Sequence, residues 1–121
     1  MAQYVDGFVI PIKKKNVKEY KKMASVGCKV WIEHGALSYY ETIGTHLKNS
    51  WGLSFSKLCK LKSDETVVFA FIVYKSKAHR DQVNKKVHKD PRMQPEKFPF
   101  QPFDMKRMTV GEFGVLVSKT K

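Results

Sequence analysis

The chain has 121 residues, of which 42% are hydrophobic and 28% charged, and its formal net charge is +12 at pH 7. This length and composition fit one folded domain and exclude an intrinsically disordered chain. No apolar run reaches the roughly 18 residues of a membrane span, and the basic residues follow the first apolar run, the reverse of a secretory signal. We therefore expect a cytoplasmic protein with one domain, residues 1–121, and no membrane partner.

The sequence contains none of the common motifs for metal, nucleotide or nucleophilic chemistry. Cys28 and Cys59 form no C-x-x-C pair, and we expect both to be reduced thiols. His46, His79 and His88 lack the spacing of metal ligands. There is no Walker loop, dinucleotide fingerprint or nucleophile elbow. The sequence therefore predicts no metal and no cofactor, and it leaves open whether the protein is an enzyme.

In the first half of the chain, the pattern predicts a strand, a helix and a second strand. Residues 4–12 are apolar on both alternating faces, which predicts that both faces are covered. Asn16 is a good N-cap and Gly35 a typical helix stop, with an apolar stripe of helical spacing between them. Residues 36–43 then read as the second strand.

The second half predicts three more strands and one helix. Residues 53–62 alternate between apolar and polar side chains, which favours a short edge strand, and residues 65–74 are rich in β-branched and aromatic types. A helix begins after Ser76 and ends before Pro91, and residues 105–117 form the last strand. The order predicts an α+β fold, the ferredoxin-like split βαβ arrangement with an extra strand.

The predicted helices cover only one face of the predicted sheet. Because several strands are apolar on both faces, something else must cover the second face, and a second copy of the same sheet is the most economical candidate. The sequence therefore predicts a homodimer in which two sheets close into a dimeric α/β-barrel.

The segment between the second helix and the last strand combines four prolines with large apolar side chains. Prolines hold such a crossing extended at low entropic cost. Its apolar side chains are predicted either to pack in the dimer interface or to form the wall of a ligand pocket; they are Met93, Phe98, Phe100, Phe103 and Met105.

Asp6 is the most unexpected polar residue in the predicted strands, since it shares a strand face with Tyr4, Phe8 and Ile10. One interpretation is a small polar pocket that binds an organic ligand, with Glu41 and Arg107 beside Asp6. The alternative is a structural Asp–Arg pair or a turn-capping carboxylate.

His34 and Asp104 join the candidate ligand-binding residues. The favoured interpretation of His34 is a cationic cap at a helix C-terminus, and a pocket base is the alternative. Asp104 fits a turn or an ion pair as readily as a substrate contact.

Lysines are concentrated in both predicted helices, including Lys18, Lys22 and Lys86. Together they predict a basic outer surface that could attract RNA or DNA through phosphate charge. Lysine outnumbers arginine, and no RNP-like aromatic motif is present, so such binding would be non-specific. A nucleic-acid-binding module is therefore the alternative to small-ligand binding.

Several segments, in order along almost the whole chain, resemble the YbaA-like family of bacterial proteins. They are YVDGFV at residues 4–9, EHGAL at 33–37 followed by Glu41, VVF at 67–69, DPRM at 90–93, and PFD-x-KRM-x-x-G-x-F at 102–113. The resemblance implies a dimeric α/β-barrel, the fold that antibiotic-biosynthesis-type monooxygenases also use. It supplies no activity of its own, although a cofactor-independent monooxygenase-like reaction is the expectation that this fold raises. Glu112 and Gln101 depart from the family pattern.

Overall fold

The computed structural model describes residues 2–121 and contains a four-stranded antiparallel sheet with two long helices. The sheet order is β2-β3-β1-β4. The ferredoxin-like α+β fold predicted from the sequence is thereby confirmed. The elements are β1 (Tyr4–Lys13), α1 (Val17–Glu33), β2 (Ser38–Ile43), α2 (Phe55–Leu58), β3 (Glu65–Tyr74), α3 (Lys77–Lys89) and β4 (Thr109–Gly114).

The two central strands, β1 and β3, pair over ten residues, from Tyr4 opposite Tyr74 to Lys13 opposite Glu65. Their β-branched and aromatic content explains this length, because such side chains pack well on a pleated surface. The shorter strands β2 and β4 lie at the two edges of the sheet.

Local signals fix the helix ends. Gly35, with φ of +117°, follows the C-cap His34 of α1 in a conformation that favours glycine. Ser76 caps α3 by accepting a hydrogen bond from His79 N, and α3 ends before Pro91. Asn16 differs from the expectation, because its side chain does not cap α1 and donates to the Pro102 carbonyl at 3.1 Å.

Both long helices lie on one face of the sheet, where they bury two apolar clusters. The first cluster joins α1, α3 and β3 through Val30, Ile72, Tyr74, Val83 and Val87. The second joins β1, β3 and the start of α1 through Ile10, Ile12, Tyr20, Val68 and Ala70. No helix of residues 2–121 has the length and apolar content needed to cross a membrane.

The predicted strand over residues 53–62 is wrong. Ser54 accepts a hydrogen bond from Lys57 N and caps the short helix α2, and Lys60 has a positive φ of 50°, which breaks an extended chain. The alternation of apolar residues in this segment therefore reflects one helical turn and a loop. The last strand is also shorter than predicted, because residues 105–107 form a 3-10 turn before β4 begins.

The face of the sheet opposite the helices carries large apolar side chains that no other element of residues 2–121 covers fully. Val68, Ala70 and Ile72 point to the helices, so Phe69 and Phe71 lie on the opposite face. Tyr40 stacks on Phe71 with ring centroids 5.0 Å apart. Tyr40, Phe69 and Phe113 are 54%, 47% and 58% exposed. We call this surface the open face.

Replacing a core side chain should destabilise the fold far more than replacing an exposed one of the same type. Ile72 is 3% exposed and belongs to the first cluster, whereas Ile32 on α1 is 43% exposed. Ile72→Ala should lower the free energy of unfolding by about 2–5 kcal/mol, because it leaves a cavity. Ile32→Ala should change it by less than about 1 kcal/mol. Urea denaturation measures both, and equal losses would contradict this assignment of the core.

Candidate functional site

Asp6 belongs to a buried ion pair with α3. Its side chain is 3% exposed, and its two oxygens accept hydrogen bonds from Arg80 Nε at 3.1 and 3.2 Å. The Tyr74 hydroxyl donates to Asp6 Oδ2 at 3.0 Å, and Asn84 donates in turn to the Tyr74 hydroxyl. The structure therefore agrees with the alternative of a structural Asp–Arg pair, with Arg80 as the partner instead of Arg107.

Arg107 joins the start of β4 to the start of β3. Its guanidinium donates to both oxygens of Glu65, at 2.6 and 3.1 Å, and to the Cys59 carbonyl at 3.0 Å. The hydrogen bonds from Arg107 hold the pKa of Glu65 below its ordinary value of 4.5. Arg107 thus closes the loop that contains α2 against the sheet.

His34 and Asp104 also have structural partners. His34 Nε2 lies 2.9 Å from Asp90 Oδ2, and Arg92 donates to the same carboxylate at 2.8 Å. These contacts, with Arg92 first, hold the pKa of Asp90 well below its usual range. Asp104 caps the following 3-10 turn by accepting from Lys106 N. These contacts tie the ends of α1 and α3 together and begin the turn before β4.

The expected grouping of Asp6, Glu41 and Arg107 is therefore wrong, because each has a different set of partners. Sequence reasoning placed Asp6 on the correct strand face, but it could not show that Arg80 of α3 lies opposite. Arg80 lies in a helix rich in lysine, so its sequence context does not distinguish it from the basic surface residues.

Two of the predicted site residues line cavities: Arg107 lines one of about 450 Å³ beside α2, and Glu41 lies beside two cavities at α1. Glu41 projects from β2 toward α1, and its two oxygens accept hydrogen bonds from the hydroxyls of Tyr20 and Tyr39, each at 2.7 Å. Burial, reinforced by the neighbouring carboxylate, raises the pKa of both tyrosines above the ordinary value, so they remain neutral donors. We call these three residues the Glu41 cluster.

Two adjoining cavities flank the Glu41 cluster, and all three of its members line both. The outer cavity, about 410 Å³, opens between α1 and β2 and also meets Lys21, Cys28 and Ile43. The inner cavity, about 220 Å³, lies between α1 and the sheet and is lined mainly by aromatic and methionine side chains. Its walls include Phe8, Met23, Trp31, Met93, Phe103 and Met108.

The proline-rich segment between α3 and β4 covers this inner cavity. Met93 packs against the first core cluster, while Phe103 and Met108 pack against the second. The Phe103 ring meets Tyr20 edge-on at 5.7 Å, and the Asn16 bond to the Pro102 carbonyl anchors the segment to α1. Of the predicted side chains, Met93 and Phe103 line the inner cavity, whereas Phe100 and Met105 are exposed.

Gly27 leaves room on α1 for the Tyr39 hydroxyl that donates to Glu41. A Cβ at position 27 would lie 2.9 Å from the Tyr39 hydroxyl oxygen, closer than real contacts allow. The glycine in a helix interior costs about 1 kcal/mol relative to alanine, and close packing is the compensation. Tyr20 has the spacing of the apolar stripe of α1, so the sequence does not distinguish it as a polar partner of Glu41.

The predicted basic surface is present on the helices. Lys18, Lys22 and Lys86 are all exposed, and α1 and α3 lie on the same side of the sheet. Lys22 pairs with Glu19, while no salt bridge among residues 2–121 uses Lys18 or Lys86. Within those residues, no three His, Cys, Asp or Glu side chains lie close enough to hold a metal ion, and both cysteines are free thiols.

Removing the Arg107 side chain should weaken the fold and change its response to acid. Because the folded-state pKa of Glu65 is lowered, the pair stabilises above about pH 4.5, and this stabilisation is lost as the pH falls through the folded-state pKa. Arg107→Gln should cost about 1–2 kcal/mol near neutral pH, less than a fully buried pair because solvent reaches Arg107.

The same substitution should make the loss of stability below pH 4.5 shallower than in the unaltered protein. Urea denaturation across this range measures both effects, with Lys106→Gln as the charge-matched control. An acid response unchanged by Arg107→Gln would show that the pair does not govern it.

Comparison with known proteins agrees with this architecture. A family model described as a protein of unknown function (DUF1428) matches residues 3–105. The Escherichia coli K12 protein YbaA, described as uncharacterized, is 35% identical over 117 residues, which are 97% of this chain and 99% of YbaA. The Shigella flexneri protein of the same name gives the same values.

Among solved structures, a dimeric ferredoxin-like protein from an uncultured marine organism superposes with a TM-score of 0.60 at 12% identity, covering 98% of this chain and 100% of the other. This likeness confirms the fold. Since the family model spans most of the chain and YbaA aligns with nearly all of it, the chain belongs to the YbaA-like family of proteins of unknown function, DUF1428.

Proposed function

We propose that this protein is a homodimer that binds a small organic ligand between α1 and the sheet, beside the Glu41 cluster. The observation that supports the proposal most directly is a carboxylate held by two tyrosine hydroxyls at the junction of two cavities with mainly apolar walls. Ligand sites in proteins commonly combine apolar walls with a few fixed polar groups. A charged side chain on a mostly apolar surface contributes little to packing, which favours a binding role.

The sizes of the cavities suit a small ligand. The outer cavity, about 410 Å³, falls within the range of roughly 300–1,000 Å³ typical of ligand pockets. The inner cavity adds about 220 Å³ on the other side of the Glu41 cluster. A ligand could therefore place its apolar part in the inner cavity and extend through the outer one toward solvent.

The homodimer is supported by the open face. Tyr40, Phe69 and Phe113 form a broad apolar surface, and monomeric soluble proteins rarely expose such surfaces without a partner. The dimeric ferredoxin-like protein of similar fold makes a second copy the natural partner. The monooxygenase-like reaction that the resemblance raises stays a prediction, because no catalytic group has been assigned to the cavity.

The alternative is non-specific nucleic-acid binding by the lysines of α1 and α3. What favours it is that Lys18 and Lys86 are exposed and outside the salt bridges of residues 2–121. Backbone contacts by lysine give affinity without sequence readout, and such affinity falls steeply as salt rises. The two functions use different surfaces, so one experiment can separate them.

Native mass spectrometry of protein purified at low salt should show a dimer that retains a small-molecule adduct. Ala24 lines both cavities, so Ala24→Phe should fill the space and remove the adduct. The matched control is Ala78→Phe, at an exposed position on α3, which should keep it. Retained nucleotides would favour the lysine surface instead, and an adduct unaffected by Ala24→Phe would place the ligand elsewhere.

A charge on the open face should dissociate the dimer. Phe69→Lys places an ammonium in the centre of the open face, where burial against a second copy would leave it unpaired. We expect a monomer by light scattering after size exclusion. Ile32→Lys, an equally exposed position on the outer side of α1, should remain dimeric. A Phe69→Lys dimer, or an unaltered protein that is monomeric, would contradict the proposal.

A further inference from the structure

We propose that the cavities beside Glu41 take a hydrophobic amine, with an aromatic or aliphatic body and one protonated nitrogen that donates to the Glu41 carboxylate. This inference rests on the proposed ligand-binding function and adds the chemical class of the ligand. It follows from the charge and the walls of the inner cavity and from the hydrogen-bonding capacity of the Glu41 cluster.

The charge lining the inner cavity is negative. Glu41 is its only charged lining residue among residues 2–121, and no lysine, arginine or histidine faces it. A carboxylate or phosphate ligand would lie near Glu41 without a cation to compensate, which is unfavourable in an apolar surrounding. A cationic ligand would instead form the missing half of an ion pair.

The unused hydrogen-bonding capacity of the Glu41 cluster is that of an acceptor. Each oxygen of Glu41 already accepts one bond from a tyrosine hydroxyl and retains one further lone pair. Tyr20 and Tyr39 each have one hydroxyl proton, and each donates it in a hydrogen bond to Glu41. Neither hydroxyl can therefore also donate to a ligand in this arrangement. The cluster is therefore arranged to receive a proton donor.

The walls of the inner cavity also suit a cation with an apolar body. Trp31 and Tyr39 lie with ring centroids 6.0 Å apart, and Phe8 and Phe103 add further aromatic surface. Aromatic faces attract ammonium groups through the ring quadrupole, and methionine thioethers adapt to irregular apolar shapes. The walls thus accommodate the ligand body while tolerating its charge.

Lys21 limits how many charges the ligand can carry. It lines the outer cavity, on the path that the distal end of a longer ligand would follow. A second ammonium there would meet a like charge, so the geometry favours a monoamine over a diamine. The net charge of +12 opposes the approach of any cation, but at about 0.15 M salt the Debye length is about 8 Å and distant lysines are screened.

Three probes of matched shape test the inference: phenylbutylamine, phenylbutanol and phenylbutyrate. Isothermal titration calorimetry near neutral pH in about 0.15 M salt gives their dissociation constants. The amine should bind about 10–100 times more tightly than the alcohol, as expected for a charge-assisted hydrogen bond, and the carboxylate should bind most weakly. Glu41→Gln should bring the amine and the alcohol to similar affinity, whereas Glu19→Gln, at an exposed site on α1, should preserve the difference.

The outcomes distinguish failure of the amine inference from failure of the proposed ligand-binding function. An alcohol that binds as tightly as the amine, or a carboxylate that binds most tightly, would overturn the amine while leaving a ligand cavity in place. If none of the three probes binds, both the amine and the proposed ligand-binding function for molecules of this size are overturned. An amine preference that survives Glu41→Gln would also overturn the inference. The ligand series uses the unaltered protein, so misfolding of a variant cannot mimic its result.

Discussion

The ten-residue pairing of β1 with β3 is the constraint on which the rest of the molecule depends. It fixes the register of the central strands and therefore which side chains meet the helices and which face away. A slip of one residue would turn β3 over relative to β1, moving Val68 and Ile72 away from Ile10 and out of the core. The same register places Asp6 toward α3, where Arg80 neutralises it, and sends Phe69 and Phe71 to the open face.

Two interfaces follow from that register, and they differ in kind. On the helix side, members of the two packed clusters line the inner cavity beside the Glu41 cluster. On the open face, aromatic side chains are exposed together and carry few charges among them. The proposed dimer would give the sheet its second covering layer without altering the helix side. Mutations can therefore test the proposed ligand binding and the proposed assembly separately.

The polar residues inside this fold are mostly structural, which narrows where chemistry could occur. Asp6, Glu65 and Asp90 each pair with an arginine, and each pair joins segments distant in sequence or closes a turn. Such pairs orient segments because a lone buried charge is costly. Glu41 differs, since its hydrogen-bond partners are neutral tyrosines and no salt bridge among residues 2–121 uses it. That difference, more than its burial, distinguishes Glu41 from the other carboxylates.

The sequence by itself determined the order of the main elements, their helix ends at Ser76 and Gly35, and the apolar character of both sheet faces. These features depend on local propensity and periodicity, which act over a few residues. The tertiary structure alone decided which polar groups meet across elements: Arg80 rather than Arg107 beside Asp6, and Tyr20 of α1 beside Glu41 of β2. It also showed that residues 53–62 form a helical turn and loop, since alternation in a short segment does not separate these from a strand. Contacts between residues far apart in the chain depend on how the helices pack across the sheet. Local propensity and periodicity in the sequence do not determine that packing.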